Sequence, residues 1–395
     1  VGSPLEVLRA FAGLGVRSFG GPVAHLGYFR NEFVVRRRWL SEAAYADLVA
    51  LCQFLPGPAS SQVAFAIGLE RAGYRGALAA WAGFTLPSAT ALVAFAFGVR
   101  WLALATGTAL MHGLQLVAVA IVAQAVISMA RSFCRGAARV AIALGALLLV
   151  LAGGTASAQI AAIAAGGVAG LVVCRDAAPP AGGELPTSVS RAAAVTALAV
   201  FGLLLFGLPA LRAVTGWQSA ALLEAFYRSG ALVFGGGHVV LPLLRDAVVA
   251  PGWVSDAAFL SGYGAAQAVP GPLFSFAAYL GAVVHVGPGG IAGAALALAA
   301  IYLPGLLLLV AALPLWQGLK RARHAAALVA GVHAAVVGLL AAALYTPIWS
   351  TAVRSRADFA VAALGLLLLV VFRMPPLVVV AAGALGGLAV GMPQS

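Results

Sequence analysis

The chain has 395 residues, of which 63% are apolar and 9% charged, with a mean hydropathy of +1.04. Soluble domains carry about a quarter charged residues, so this composition excludes a sizeable soluble domain. A bilayer span takes roughly 20 apolar residues, which leaves room for about ten to thirteen spans. The net charge is +12, and all basic residues but Lys320 are arginine. In a chain rich in Ala, Gly and Arg that excess reads as codon bias. Basic residues in a polytopic protein mark cytoplasmic loops, and no basic soluble module is present, so nucleic acid is not an expected partner.

In chain order, residues 1–14 lack a basic region followed by an apolar run and a small-residue cleavage site, so no removable secretory signal is expected. Apolar stretches follow at about 5–28, 44–68, 76–98, 102–130, 138–152, 156–174, 192–210, 218–242, 258–286, 290–316, 325–346, 357–372 and 376–392. Most read as helices, the structure that satisfies its own backbone in lipid. The polar, Pro- and Gly-rich interruption Arg175–Arg191 divides the chain. The expected organisation is a first repeat at 1–174, a linker plus one inverting helix at 175–217, and a second repeat at 218–395. Cys52, Cys134 and Cys174 are far apart, which argues against a disulfide framework or a metal site and for small buried side chains.

The two halves repeat each other. Phe11, Gly15, Phe19, Gly20 and Gly21 match Phe226, Gly230, Phe234, Gly235 and Gly236 at one offset. One residue less aligns Trp39-Leu40-Ser41-Glu42 with Trp253-Val254-Ser255-Asp256, Gln53 with Gln267, Pro56-Gly57-Pro58 with Pro270-Gly271-Pro272, and Ser61 with Ser275. A slightly larger offset matches Leu86-Pro87 to Leu303-Pro304 and Gly113 to Gly331. Such ordered self-similarity marks a duplication. Five apolar segments separate the motif-bearing stretches of the two copies, and an odd number predicts inversion. Arg36-Arg37-Arg38 aligns with Ala250-Pro251-Gly252, a contrast that places equivalent loops on opposite faces. If the motif stretches enter and return, the basic residues divide seventeen to six between the faces; if they span, the bias nearly disappears. The fold expected is an all-α polytopic membrane protein, two homologous halves in an inverted repeat, with re-entrant or broken helices at the Gly-Gly and Pro-Gly-Pro motifs.

Those motifs carry the chemistry. A Gly-Gly or Pro-Gly-Pro cluster inside an apolar stretch ends one helix and starts another, because proline lacks an N–H and glycine tolerates unusual dihedrals. Each break exposes a helix amino terminus at membrane depth, which suits an anion. Discontinuous helices at the interface of inverted repeats hold the substrate in many secondary transporters. The alternative is close helix packing and simple kinking. Two kinds of break recur in both halves beside Gln53, Gln267, Ser61 and Ser275, which favours a site.

His25 and His238 follow the glycines without aligning, and each reads equally as a core histidine or an ion ligand. His333 aligns with Gln115, which favours plain hydrogen bonding. Glu42 and Asp256 follow serines at expected helix starts and read as capping residues. Glu32 and Asp47 are candidate proton relays. Arg17 and Arg228 flank the Gly-Gly breaks, where forked contacts to an oxyanion and interface snorkelling are equally compatible. No Walker A sequence, acidic metal cluster or convincing catalytic constellation is present, so no cofactor, no metal and no enzymatic role is expected.

Residues 14–68, LGVRSFGGPVAHLGYFRNEFVVRRRWLSEAAYADLVALCQFLPGPASSQVAFAIG, together with FYRSGALVFGGGHVVLPLL and GYGAAQAVPGPLFSFAAYLG, resemble the paired signature blocks of the chromate ion transporter family. The resemblance implies a two-domain, long-chain member that exports chromate and is associated with chromate resistance, with sulfate as the usual structural analogue. The substrate-binding residues it and the breaks suggest are Phe19, Gly20, Gly21, Pro22, His25, Gln53, Pro56, Gly57, Pro58 and Ser61, with Phe234, Gly235, Gly236, Gly237, His238, Gln267, Pro270, Gly271, Pro272 and Ser275. His238 stands where the family is expected to carry an aromatic residue. The function expected is therefore a secondary transporter exporting chromate or a similar tetrahedral oxyanion across a bacterial-type inner membrane. The alternative is an anion channel or a structural membrane component. The expected partners are a small oxyanion, the lipid bilayer and, for coupling, protons; a homo-oligomer is left open.

Overall fold

The computed structural model describes residues 2–101, 105–176, 189–316, 318 and 322–391. Of the expected polar connection, positions 177–188 lie outside the described residues, as do Lys320 and Arg321. Among the described residues there is no strand, as a chain of this hydropathy requires.

Each repeat begins with two hairpins that turn inside the protein. In the first, α1 (Pro4–Gly15) runs inward, and α2 (Gly21–Phe29), extended by a π-helical turn at Arg30–Arg36, runs back. The ring contacts trace this return: Phe33 stacks on Phe11 at 4.6 Å and on Trp39 at 4.9 Å. The Arg71 guanidinium in turn lies 4.9 Å from the Trp39 ring centroid and pairs with Glu6 at 3.2 Å. Glu6, Trp39 and Arg71 thus share one base. The second hairpin leaves that base as α3 (Glu42–Phe54), turns at Pro56-Gly57-Pro58 and returns to Arg71. Ser41 caps α3 through the Ala44 N–H at 3.2 Å, and Ser255 caps its counterpart through Ala258 at 3.2 Å, as the serine–acid pairs predict. Glu42 and Asp256 add ion pairs to Arg30 at 2.6 Å and Arg245 at 2.8 Å.

The helical stretch Ala59–Trp101 is two helices, α4 at 59–71 and α5 at 74–101. Ala72 (φ −147°, ψ 30°) and Gly73 (φ 62°, ψ −161°) leave helical space, and the chain reverses there. The two legs touch so closely that neither Gly68 nor Gly76 has room for a β-carbon. After α6 (Ala105–Phe133) comes a pair of shorter helices, α7 (Ala137–Gly153) and α8 (Ala156–Val173). Arg139 and Asp176, 3.9 Å apart, tie the two ends of that pair together. Helix α9 (Arg191–Thr215) is the helix between the repeats.

The second repeat follows the same path: α10 (Gln218–Ala231), α11 (Val240–Val248), α12 (Asp256–Ala266), α13 (Phe276–Val283), α14 (Gly290–Ala312), α15 (Arg323–Ala343), α16 (Arg356–Val370) and α17 (Pro376–Gly391). Gly281 and Gly293 repeat the closeness of Gly68 and Gly76. Among the described residues between the two bases, three helices are long enough to cross, α5, α6 and α9, and the α7–α8 pair returns. An odd number of crossings puts the hairpins of the second repeat on the opposite face, so the repeat is inverted.

Among the described residues, five helical stretches are long and apolar enough to span: 59–98 (its 74–98 leg, since α4 folds back), 108–133, 191–215, 290–315 and 323–352. This is fewer than the apolar composition suggests. The hairpin helices turn at depth, and α7, α8, α16 and α17, at 17, 18, 15 and 16 residues, are shorter than the roughly 20 a span requires. The repeats also interlock: α7 and α8 of the first pack on α15 of the second, and α16 and α17 pack on α6. Gly166, Gly170 and Gly331 form one of these contacts, Gly113, Gly383 and Gly387 the other, each without space for a side chain. Cys52 and Cys174 are buried as expected, whereas Cys134 is half-buried.

Candidate functional site

The breaks of one repeat dock on those of the other. The Gly57 N–H donates to the Val233 carbonyl at 2.7 Å, and the Gly271 N–H donates to the Ser18 carbonyl at 2.9 Å. Gly57 and Gly271 are equivalent positions, as are Ser18 and Val233, so these two bonds are one contact made twice about a pseudo-two-fold axis. Glycine is required at both. Their φ values are 122° and 108°, and a β-carbon would come 2.9 Å from Gly305 Cα in the first case and 2.9 Å from Ser88 Oγ in the second. The Gln62 amide locks the first loop by donating to the carbonyls of Pro56 (3.0 Å) and Gly305 (2.9 Å).

Crossing the loops encloses two cavities. The first, of about 150 Å³, is lined by Gly20, Gly21 and Pro22 of one repeat and by Gln267, Val269, Gly271 and Leu273 of the other, with His238, Gln124 and Met374 in its wall. The second, of about 260 Å³, reverses the parentage: Gly235 and Gly236 face Gln53, Leu55, Gly57 and Ala59, with Val23, Phe133 and His333 completing it. Pro22 lines both, and a β-carbon on Gly237 would lie 3.8 Å from Pro22 Cγ, so these equivalent positions form the partition. At roughly 30 Å³ per water, either cavity has room for the five heavy atoms of a tetrahedral oxyanion. Helix α2 and the turn that opens α11 carry no side-chain cap at their first N–H groups, which leaves those amides to whatever occupies the cavities.

Among the described residues, no Arg, Lys, Asp or Glu lines either cavity. Arg17 lies 3.7 Å from Glu32 and Arg228 3.1 Å from Glu224, so both arginines flanking the breaks are engaged by acids. Glu32 is a buried carboxylate that also holds Arg36 at 2.6 Å and Arg37 at 2.7 Å, at the rim of the first base. Burial alone raises its pKa, but the three guanidiniums outweigh that and hold the carboxyl below the usual range.

The structure sends the sequence-selected residues to different places. Gly20, Gly21, Pro22, Gln53, Gly57, Gly235, Gly236, His238, Gln267 and Gly271 line the cavities. Ser61 and Ser275 instead converge with Thr85 on the buried Tyr302 phenol. There Ser88 Oγ lies 2.6 Å from Ser275 Oγ and donates to the Thr85 carbonyl at 2.9 Å, so the Ser275 hydroxyl is the donor between the two serines. His25 is buried in the wall behind the first break. Its Nε2 lies 3.1 Å from the Ser18 carbonyl, which fixes the proton there, and its Nδ1 faces Ser60 Oγ at 3.4 Å. Phe19, Pro56, Pro58, Gly237, Pro270 and Pro272 shape the turns without lining either cavity. The sequence reading did not select Gln124, Phe133 and Met374, and it gave His333 plain hydrogen bonding rather than a place in a cavity wall; all four lie outside the motifs. An ionisable residue in an apolar helix was the available signal for His333.

No solved structure is significantly similar to this chain. A "Chromate transport protein" of Pseudomonas aeruginosa is 28% identical over 85% of this chain and 79% of its own length. Another of the same name, from Cupriavidus metallidurans, is 29% identical over 97% of this chain and 92% of its own length. An uncharacterised transporter of Methanocaldococcus jannaschii is 26% identical over 80% of this chain and 78% of its own. The family model described as chromate transporter matches twice, at residues 5–171 and 220–388, once on each set of hairpins, and the chain belongs to the chromate transporter family.

Proposed function

We propose that this chain is a secondary transporter that exports chromate, or a tetrahedral oxyanion like it such as sulfate, across the inner membrane. The observation that carries this reading is the pair of cavities built by crossed breaks and, among the described residues, free of acidic side chains, in a chain whose relatives are named for chromate transport. The backbone amides at Gly20, Gly21, Gly235 and Gly236 supply the attraction for an anion, and the Gln53 and Gln267 amides adjust it. The functional units are the repeats at 1–174 and 218–395, with 175–217 as linker and inverting helix. A dianion leaving an inside-negative cell moves downhill by about 2.3 kcal/mol per charge per 100 mV, hence about 4.6 kcal/mol for two charges, so export needs no nucleotide.

The test is chromate and sulfate efflux from proteoliposomes clamped at several potentials with potassium and valinomycin. The expected outcome is ATP-independent efflux that accelerates as the interior becomes more negative. Voltage-indifferent efflux would mean electroneutral exchange with compensating protons, and absence of flux for any tetrahedral oxyanion would end the carrier reading.

A further inference from the structure

The two cavities are related by the pseudo-two-fold axis but are not chemically equal, and the inequality lies in their histidines. His238, in the smaller cavity, is already engaged: its Nδ1 lies 2.6 Å from the Tyr263 hydroxyl. His333, in the larger cavity, has no such side-chain partner and reaches only the Gln53 backbone. Its ring is held from outside the motifs, with its centroid 4.5 Å from that of Phe133, and its Cδ2 would lie 3.3 Å from a β-carbon on Gly235. The imidazole edge therefore rests on the very glycine that opens the second break. The ring lies beside the Gln53 backbone, yet the buried Nε2 forms no well-made hydrogen bond. A polar nitrogen shut away from water without a partner is costly to bury, and a ligand oxygen that reaches it removes that cost.

The equivalent position in the first repeat shows what a purely structural polar residue does in the same place. Gln115 donates to the Ser261 hydroxyl at 3.3 Å and to the Ala257 carbonyl at 3.4 Å, and it lines neither cavity. So the duplicated position packs helices together in one repeat and stands in a cavity wall in the other. The smaller cavity has its own unpartnered donor, Gln267 Nε2, on the Gln that follows α12.

We propose that His333 is a substrate-contacting residue of the larger cavity, donating a hydrogen bond to an oxygen of the oxyanion, and that the two cavities are distinct anion subsites, one read by His333 and the other by Gln267. This rests on the transport reading above for the class of ligand. It assigns the chemistry of recognition to neutral or reversibly charged donors rather than to a fixed arginine, which allows the anion to leave again.

The experiment measures half-saturating chromate concentration in proteoliposome flux and, independently, equilibrium binding of radiolabelled sulfate to the full chain in detergent. His333→Phe keeps a flat ring against Phe133 and removes both nitrogens, whereas His333→Gln keeps a donor. The expected result is a rise of about 10- to 100-fold in half-saturation and in sulfate dissociation constant for H333F, as for loss of one hydrogen bond to a charged group, with most of the rise recovered in H333Q. Gln267→Leu should weaken binding by a similar factor, and in H333F should reduce the number of bound anions from one to none. Unchanged half-saturation in well-folded H333F overturns the assignment to His333, and H333Q as impaired as H333F overturns the donor role. If wild-type protein carries no oxyanion, the transport reading fails, and sulfate binding alone then decides His333: binding weakened in H333F and recovered in H333Q upholds it, and no binding by wild type ends it.

Discussion

Helices α2 and α11 hold equivalent places in the two repeats, and both have nine residues, yet their surroundings differ. Only His25 and Phe29 of α2 are buried, whereas six residues of α11 are, with Val240 and Leu244 fully enclosed. Val23, in the first turn of α2, is 83% exposed while lining the larger cavity. The difference comes from neighbours. Besides its own hairpin partner α10, helix α11 packs against α8 and α15, whereas α2 packs chiefly within its own hairpin bundle. A duplicated sequence therefore gives both hairpins the same backbone path, and the helices beside each one decide whether it is covered. In the structure the first-repeat hairpin is the less covered of the two.

The largest effect is expected where the repeats are most alike. Gly57→Leu and Gly271→Leu each force a side chain into a positive-φ position with no room for a β-carbon, and each breaks the same cross-repeat bond. Both variants, once inserted and monodisperse, should lose oxyanion flux by about 100-fold or more, to equal extents. Normal flux in either would mean that the crossed loops do not form the pathway, and a loss confined to one would mean that only one cavity carries substrate.

An intermediate effect should expose the asymmetry itself. In a background without native cysteines, Val23→Cys should react with an impermeant thiol reagent from the face bearing Arg38, and faster than Val240→Cys by about tenfold or more, since opening a packed segment costs free energy that an exposed one does not. Arg38→Cys and Gly252→Cys should label from opposite faces. Equal rates at 23 and 240 would show that the uncovered hairpin is not the accessible one, and labelling of 38 and 252 from one face would remove the inversion.

The smallest effect concerns the rim beside the open hairpin. Glu32 has a depressed pKa, so its contribution to stability is fully present above the ordinary carboxylate value and is lost as pH falls through the lower value in the folded protein. Its arginine partners are 35–60% exposed, which limits the contribution to about 1 kcal/mol. Melting of the detergent-solubilised chain should fall between pH 7 and the acid range in wild type and fall less in Glu32→Gln. Identical pH slopes would show that Arg17, Arg36 and Arg37 do not stabilise the fold through this carboxylate.

Much of this architecture was legible in the sequence because it depends on local chemistry. Pro56-Gly57-Pro58 and Gly20-Gly21 break helices wherever they stand, Ser41 and Ser255 cap helices for the same reason in both copies, and the offset between the copies announces the duplication. The helix count was less legible, since Ala72-Gly73 reverses the chain inside an apolar run that hydropathy reads as continuous. What only the tertiary structure decided is the pairing across repeats. Nothing in the strings around Gly57 and Val233 says that one amide meets the other carbonyl, or that Ser61 and Ser275 turn toward Tyr302 instead of a cavity. Likewise, Gln115 and His333 align perfectly well as polar residues in apolar helices, and their different fates arise from Ser261 beside one and Phe133 beside the other. Local sequence sets where a helix ends and which residues it carries, but a cavity is the space between elements distant in the chain, and its lining is fixed only when those elements pack.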